Sequence, residues 1–215
     1  MTVAGILLAA GGGSRLGQPK ALVEFDGQTL AERGVALLAN GGAGPVLVVS
    51  GAVPVSVAGA RTVHNPDWRT GMGSSLAAGL RALGAGRDSA GPDGAGPDSA
   101  GRDSAVEEIG AAVIALADQP LVGAESVRRL IAAYRDGAPV AVAAYDGQPR
   151  NPVLIARGHW PAVLEMATGD TGARPFLRAH PDLVTLVECA DTGRPDDIDT
   201  EADLARVRKD RSGKS

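Results

Sequence analysis

The residues best equipped for chemistry begin where an apolar run at positions 3–9, ending in Leu8-Ala9, passes into Ala10-Gly11-Gly12-Gly13-Ser14-Arg15-Leu16-Gly17-Gln18-Pro19-Lys20. Consecutive glycines after a strand let backbone N–H groups converge on one point without Cβ interference, a nest suited to an anion such as a phosphate. Arg15 and Lys20 add fixed positive charge to the same loop. Much later, Asp118 ends a second apolar run at 111–117 and is followed by Gln119-Pro120, while Asp197 and Asp199 precede a helical pattern at 201–209. A carboxylate at the end of a strand in an open α/β sheet faces the crevice where ligands bind, and Pro120 turns the chain away from it. Hard oxygens in that place suit Mg²⁺, which takes one or two carboxylates together with substrate phosphates. Thr200 and Asp203 also fit a capping box, so capping competes with a metal role for this acidic stretch.

Two further segments open helices. Gly71-Met72-Gly73-Ser74-Ser75-Leu76 leads into a pattern at 74–83, where free N–H groups and the hydroxyls of Ser74 and Ser75 can bond a nucleobase or phosphate. Plain N-capping by Ser74 is the simpler alternative. Gly169-Asp170-Thr171-Gly172-Ala173-Arg174 precedes or opens the pattern at 172–179, and Arg174 could grip an acceptor phosphate in bidentate fashion, the alternative being a solvated Arg on a capped turn. Other residues read as structural. His64, His159 and His180 are scattered, Trp68 and Trp160 read as packing anchors with Trp68 beside the proposed base pocket, and Cys189 reads as a small buried residue. Ser14 has no His partner in view for hydrolase chemistry.

Positioning these groups requires strands alternating with helices. Short apolar runs at 3–9, 45–50, 111–117, 140–144 and 183–188 read as strands, most of them covered on both faces. Helical spacing of apolar residues marks 29–40, 74–83, 124–134, 160–167, 172–179 and 201–209. Strand then helix, repeated, predicts a three-layer α/β/α, Rossmann-like fold with a mostly parallel sheet. A pentapeptide repeats four times over 86–105 without a large apolar residue, which predicts a mobile surface loop. One domain over 1–210 and a flexible tail at 211–215 complete the expected organisation.

Composition narrows the function. The chain has 215 residues, a formal charge of −4, 3% aromatics and a single Cys. Without a basic footprint or stacking rings it is not expected to bind nucleic acid. One Cys cannot form an intramolecular disulfide, and no Cys/His pair has zinc spacing, so the cytoplasm is the default location. The first apolar run falls far short of the roughly 20 residues of a membrane helix. A Walker A loop would need Lys followed by Ser or Thr at the start of a helix, whereas Lys20 follows Pro19 and precedes Ala21-Leu22-Val23, a strand-like run. The dinucleotide fingerprint fails at its last glycine, where Leu16 stands.

The run from Leu8 to Lys20 resembles the signature loop of MobA-like nucleotidyltransferases, which pair a Leu-Ala-Ala/Gly-Gly start with a Ser-x-Arg-Met-Gly stretch and a Lys; here Leu16 takes the place of the Met. The resemblance extends in order to Asn65-Pro66-Asp67-Trp68-Arg69-Thr70-Gly71-Met72-Gly73-Ser74-Ser75-Leu76, to Leu116-Ala117-Asp118-Gln119-Pro120, to the segment from Gly169 to Arg174, and to Asp197-Ile198-Asp199-Thr200-Glu201-Ala202-Asp203-Leu204. Ala10 and Gln119 are most similar to the branch containing molybdenum cofactor cytidylyltransferase.

This resemblance implies nucleotidyl transfer: a phosphorylated acceptor attacks the α-phosphorus of an NTP and pyrophosphate leaves. CTP is the implied donor and molybdopterin the implied acceptor, with a sugar phosphate or phospholactate as alternatives. Gly11 to Ser14 would cradle the triphosphate, Arg15 would neutralise the leaving pyrophosphate and Lys20 the α-phosphate. Asp118 would hold Mg²⁺ together with Asp197 or, second, Asp199. A different class remains open, a non-catalytic nucleotide-sensing or cofactor-chaperone module that delivers a molybdopterin to a partner molybdoenzyme.

Overall fold

The computed structural model describes residues 1–85 and 108–212. The pentapeptide tract at 86–105 lies outside the described residues, as do tail residues 213–215.

The elements are β1 (Thr2–Leu8), a small hairpin of β2 (Glu24–Phe25) and β3 (Gln28–Thr29), α1 (Leu30–Asn40), β4 (Val46–Ser50), β5 (Ala60–His64), α2 (Met72–Gly84), β6 (Ile109–Leu116), α3 (Ala124–Arg135), β7 (Val140–Tyr145), β8 (Gln148–Ala156), α4 (Trp160–Met166), α5 (Arg174–Ala179), β9 (Val184–Glu188) and α6 (Glu201–Ser212). The main sheet has seven strands in the order β5-β4-β1-β6-β8-β7-β9. β1 lies parallel to both β4 and β6, β4 to β5, and β7 to β9, while β8 runs antiparallel between β6 and β7. The sheet is thus mostly parallel and flanked by helices, as the strand–helix alternation predicts.

Alternation along each strand makes the layers. In β1, Val3 and Leu7 join the core under α1 and α3, while Ala4, Ile6 and Leu8 join the core under α2, α4 and α5. A strand covered on both faces therefore reads as one continuous apolar run. A third, smaller cluster unites Leu16, Val23, Phe25 and Leu30 with Ile198, Leu204 and Val207, so α6 is docked on the segment that follows the glycine turn. Helix α1 starts with a full capping box: Glu32 N donates to Thr29 Oγ1 at 3.2 Å and Thr29 N to Glu32 Oε2 at 2.7 Å.

Three features depart from the sequence expectation. β5 is an edge strand whose side chains are mostly exposed, so it lacks an apolar run. β8 opens with Gln-Pro-Arg-Asn-Pro and becomes apolar only from Val153. The run Ala21-Leu22-Val23, read as strand-like, instead lies largely in a short 3₁₀ turn at Lys20–Leu22, with Ala21 buried and Leu22 turned outward. Among the described residues, no helix is long and apolar enough to cross a membrane.

Candidate functional site

Register brings the two chemical segments together. Leu8 of β1 pairs with Leu116 of β6, and Ala117 N donates to Leu8 O at 3.1 Å, so the glycine turn and Asp118 leave the sheet side by side. Leu8, Ala9 and Ala10 are buried and form the floor of this edge, whereas Gly11 and Ser14 are exposed. Gly13 has φ +61°, and a Cβ there would strike the Gln18 carbonyl, so the chain can close back on itself only through glycine. Leu16 N donates to Gly13 O at 2.9 Å and its side chain is buried in the third cluster.

Lys20 stands at the centre. Its ammonium donates to Asp118 Oδ2 at 2.7 Å and also to Asp199 Oδ1. Arg15 adds a longer contact, Nη2 to Asp199 Oδ2 at 3.4 Å, from a largely exposed side chain. Asp118 Oδ1 is buried and has no hydrogen-bond partner. The backbone fixes the two acidic stretches to each other, because Ile198 N donates to Asp118 O at 2.8 Å and the Ile198 side chain is fully buried. Asp199 is therefore the acid that meets Asp118 across Lys20. Asp197 is held elsewhere: Gln119 Nε2 donates to its Oδ1 at 2.8 Å and, more weakly, to Pro195 O at 3.4 Å. The Thr200–Asp203 capping box is also present, Asp203 N donating to Thr200 Oγ1 at 3.2 Å and Thr200 N to Asp203 Oδ2 at 3.0 Å.

Charge balance follows from this packing. Desolvation alone would lower the Lys20 pKa, but the charge of Asp118, the hydrogen bonds to Asp118 and Asp199 and the charge of Asp199 together raise it above 10.5. Asp197 is held above the ordinary carboxylate value, first by desolvation at its carboxyl and then by the negative charges of Asp118 and Asp199, against the hydrogen bond from Gln119. The sign for Lys20 is that of a raised base. Its contribution to stability is complete below 10.5, the unfolded value, and is lost as pH rises through the higher folded value. Thermal unfolding of Lys20→Met is accordingly expected to depend less on pH above about 10.5 than that of the unaltered chain, and an unchanged slope would contradict this charge balance.

A second wall comes from the start of α2. Its N-cap is Gly71, at φ +115°, with no side-chain cap, so Ser74 does not cap the helix. Asn65, buried and not singled out from the sequence, donates from Nδ2 to Ser74 Oγ at 2.9 Å and to Ser75 Oγ at 3.0 Å. Ser74 Oγ lies 2.8 Å from Gly71 O and 3.0 Å from Asp67 O, so the two hydroxyls lock the 65–71 loop to the helix. The signal for Asn65 was its place just before Pro66 and the turn. A Cβ on Gly71 would collide with the Gly169 backbone, which seats the turn Gly169–Thr171 against α2. Gly71→Ala is expected to lower stability by about 2 to 4 kcal/mol in denaturant unfolding, from positive φ and backbone overlap together. Arg174, first residue of α5, is exposed on this wall and makes no ion pair among the described residues.

Comparison with known proteins agrees with this geometry. Residues 5–184 match the model of the MobA-like NTP transferase domain. Nicotine blue oxidoreductase of Paenarthrobacter nicotinovorans is 36% identical over 219 aligned residues, which cover 95% of this chain and 96% of that protein. Among solved structures, the Mycobacterium sp. strain JC1 homologue of Mycobacterium tuberculosis Rv0371c superposes with a TM-score of 0.77 at 26% identity, covering 99% of this chain and 98% of that one. A manganese complex of Rv0371c from Mycobacterium tuberculosis H37Rv shares the fold with a TM-score of 0.69 at 20% identity, covering 97% and 99%. A glycine turn and an acidic strand end side by side on a mostly parallel sheet, with a family match spanning most of the chain, lead to one conclusion: the chain belongs to the MobA-like NTP transferase domain family.

Proposed function

We propose that the chain transfers a nucleotidyl group from an NTP, CTP in the first instance, to a phosphorylated acceptor of the molybdopterin type, with release of pyrophosphate. The observation that carries the reading is the Lys20 ammonium held between Asp118 and Asp199 beside the glycine turn. A phosphate oxygen of the acceptor attacks the α-phosphorus as the bond to the β-phosphate oxygen breaks. The protein's part is positioning and charge neutralisation. N–H groups of Gly11 to Ser14 hold the triphosphate, Lys20 turns from the carboxylates to the α-phosphate, and Arg15 faces the departing pyrophosphate. Arg174 grips the acceptor from the opposite wall.

The donor set fits a divalent cation. Asp118 Oδ1 is buried without a partner, and Asp118 Oδ2 and Asp199 Oδ1 already face a positive charge. Among the described residues no cluster of three or more His, Cys, Asp or Glu could hold a metal, which agrees with an ion completed by substrate phosphates. Asp118 and Asp199 would hold Mg²⁺, with Asp197 beyond them on Gln119, and the ion would supply charge neutralisation of the triphosphate. A structure of the same fold is a manganese complex, which supports this choice.

Incubating the protein with each NTP, Mg²⁺ and molybdopterin, a sugar phosphate or phospholactate tests the proposal. CTP with molybdopterin is expected to release the most pyrophosphate. No pyrophosphate with any pair, alongside saturable nucleotide binding, would favour the chaperone reading. The 36% identity to nicotine blue oxidoreductase favours a second reading, in which the chain carries out a redox reaction rather than nucleotidyl transfer. Redox turnover of nicotine blue, without any pyrophosphate release, would select it.

A further inference from the structure

The glycine turn carries no side chain that could fix its own height over the sheet, and glycine leaves the backbone loose. The stiffening group comes from another segment. Trp68 opens the short turn Trp68–Thr70 ahead of α2. A Cβ on Gly51 would lie 2.5 Å from Trp68 Cβ, 2.7 Å from its Cγ and 2.7 Å from Ala10 Cβ, while a Cβ on Gly12 would lie 3.1 Å from Cη2 and 3.3 Å from Cζ3. The indole thus reaches from the end of β4 to the glycine turn, its near end on Gly51 and its far edge on Gly12. The Arg69 guanidinium sits 4.4 Å from a ring centroid. The base of the side chain is fixed as well, because Asn65 N donates to Ser50 O at 2.8 Å and Asp67 N to Asn65 Oδ1 at 3.0 Å, with the Asn65 amide on Ser74 and Ser75.

We infer that Trp68 is a positioning residue for the nucleotide, a rigid strut that sets the glycine turn against the start of α2 and so fixes the width of the cleft between them. The inference rests on the proposal that the turn holds a triphosphate. It explains why position 51 is glycine: a Cβ there would lie 2.5 Å from Trp68 Cβ and 2.7 Å from Ala10 Cβ, so any larger residue would displace the ring.

The test uses the full chain and CTP with Mg²⁺ as the probe. The protein has two tryptophans, and the other, Trp160, is buried with its Nε1 donating to Ile155 O at 3.1 Å, so Trp160→Phe leaves Trp68 as the sole tryptophan. Trp68 emission is expected to change saturably with CTP. By equilibrium dialysis, Trp68→Ala is expected to weaken CTP binding about tenfold and Trp68→Phe by less than about threefold. Unchanged emission during binding or full affinity in Trp68→Ala would overturn the inference and leave the proposed function standing. Should Trp68→Ala fail to fold, the emission of Trp68 in the Trp160→Phe protein carries the test, and unchanged emission during saturable CTP binding overturns the inference. If the unaltered chain binds no nucleoside triphosphate at all, the function and the inference fall together.

Discussion

Asp118→Asn is expected to reduce nucleotidyl transfer by about 10³-fold, measured as pyrophosphate released with the donor and acceptor that turn over best. The substitution keeps the shape of the side chain and removes its charge. The contact that orders the second acidic stretch is from Ile198 N to the Asp118 backbone carbonyl at 2.8 Å, so it survives. Lys20 keeps Asp199 as a partner, and both ends of the lost ion pair are about one-fifth exposed, so the stability change should stay near about 1 kcal/mol. A folded protein with little activity is therefore the expected outcome. Turnover within about threefold of the unaltered chain would remove Asp118 from the reacting centre.

Lys20→Ala is expected to lower turnover by more than about tenfold, through loss of a cation that neutralises charge developing on phosphate. The same change leaves Asp118 and Asp199 facing each other without the ammonium between them, so their mutual repulsion rises. A divalent cation relieves that repulsion, and Mn²⁺ is expected to raise the unfolding temperature of Lys20→Ala more than that of the unaltered protein. Equal shifts would mean that the two carboxylates do not share an ion. Near-normal turnover would place Lys20 outside the chemistry.

Much of the sheet was legible because a strand buried on both faces has no polar alternation to hide it. β1, β4, β6 and β7 each overlap such a run, and β9, an edge strand, overlaps the run at 183–188 although its side chains are mostly exposed. β8 was hidden by its chemistry: Gln148, Pro149 and Arg150 are exposed at its start, a second proline, Pro152, follows, and only Val153 to Ile155 join the core clusters. β5 was hidden by position, since an edge strand with exposed side chains needs no apolar run. At Lys20 the local pattern misled. Ala21-Leu22-Val23 looks extended, yet Ala21 and Val23 are buried while Leu22 points outward from a 3₁₀ turn.

The site was legible in its backbone more than in its pairings. The end of an apolar run marks a strand end, and register then sets Asp118 beside the glycine turn. Asp197 and Asp199 could not be separated from spacing alone, because both flank Ile198 and both precede a capping box. Tertiary partners divide them, Gln119 taking Asp197 and Lys20 taking Asp199. Ser74 and Ser75 were visible as hydroxyls at a helix start, but their attachment to Asn65 required the loop to fold back over α2. Gln119 shows the same limit, since its amide is directed at the 195–197 stretch rather than along its own strand.

The contact between Lys20 and Asp199 spans 179 positions, and that between Lys20 and Asp118 spans 98. During synthesis the amino-terminal half can pair β1 with β4 and settle its glycine turn early. Asp199 comes later, and it can reach Lys20 only after the last helix has cleared the ribosome and docked. The lysine–carboxylate cluster is therefore completed only when two stretches far along the chain have folded onto the first strand.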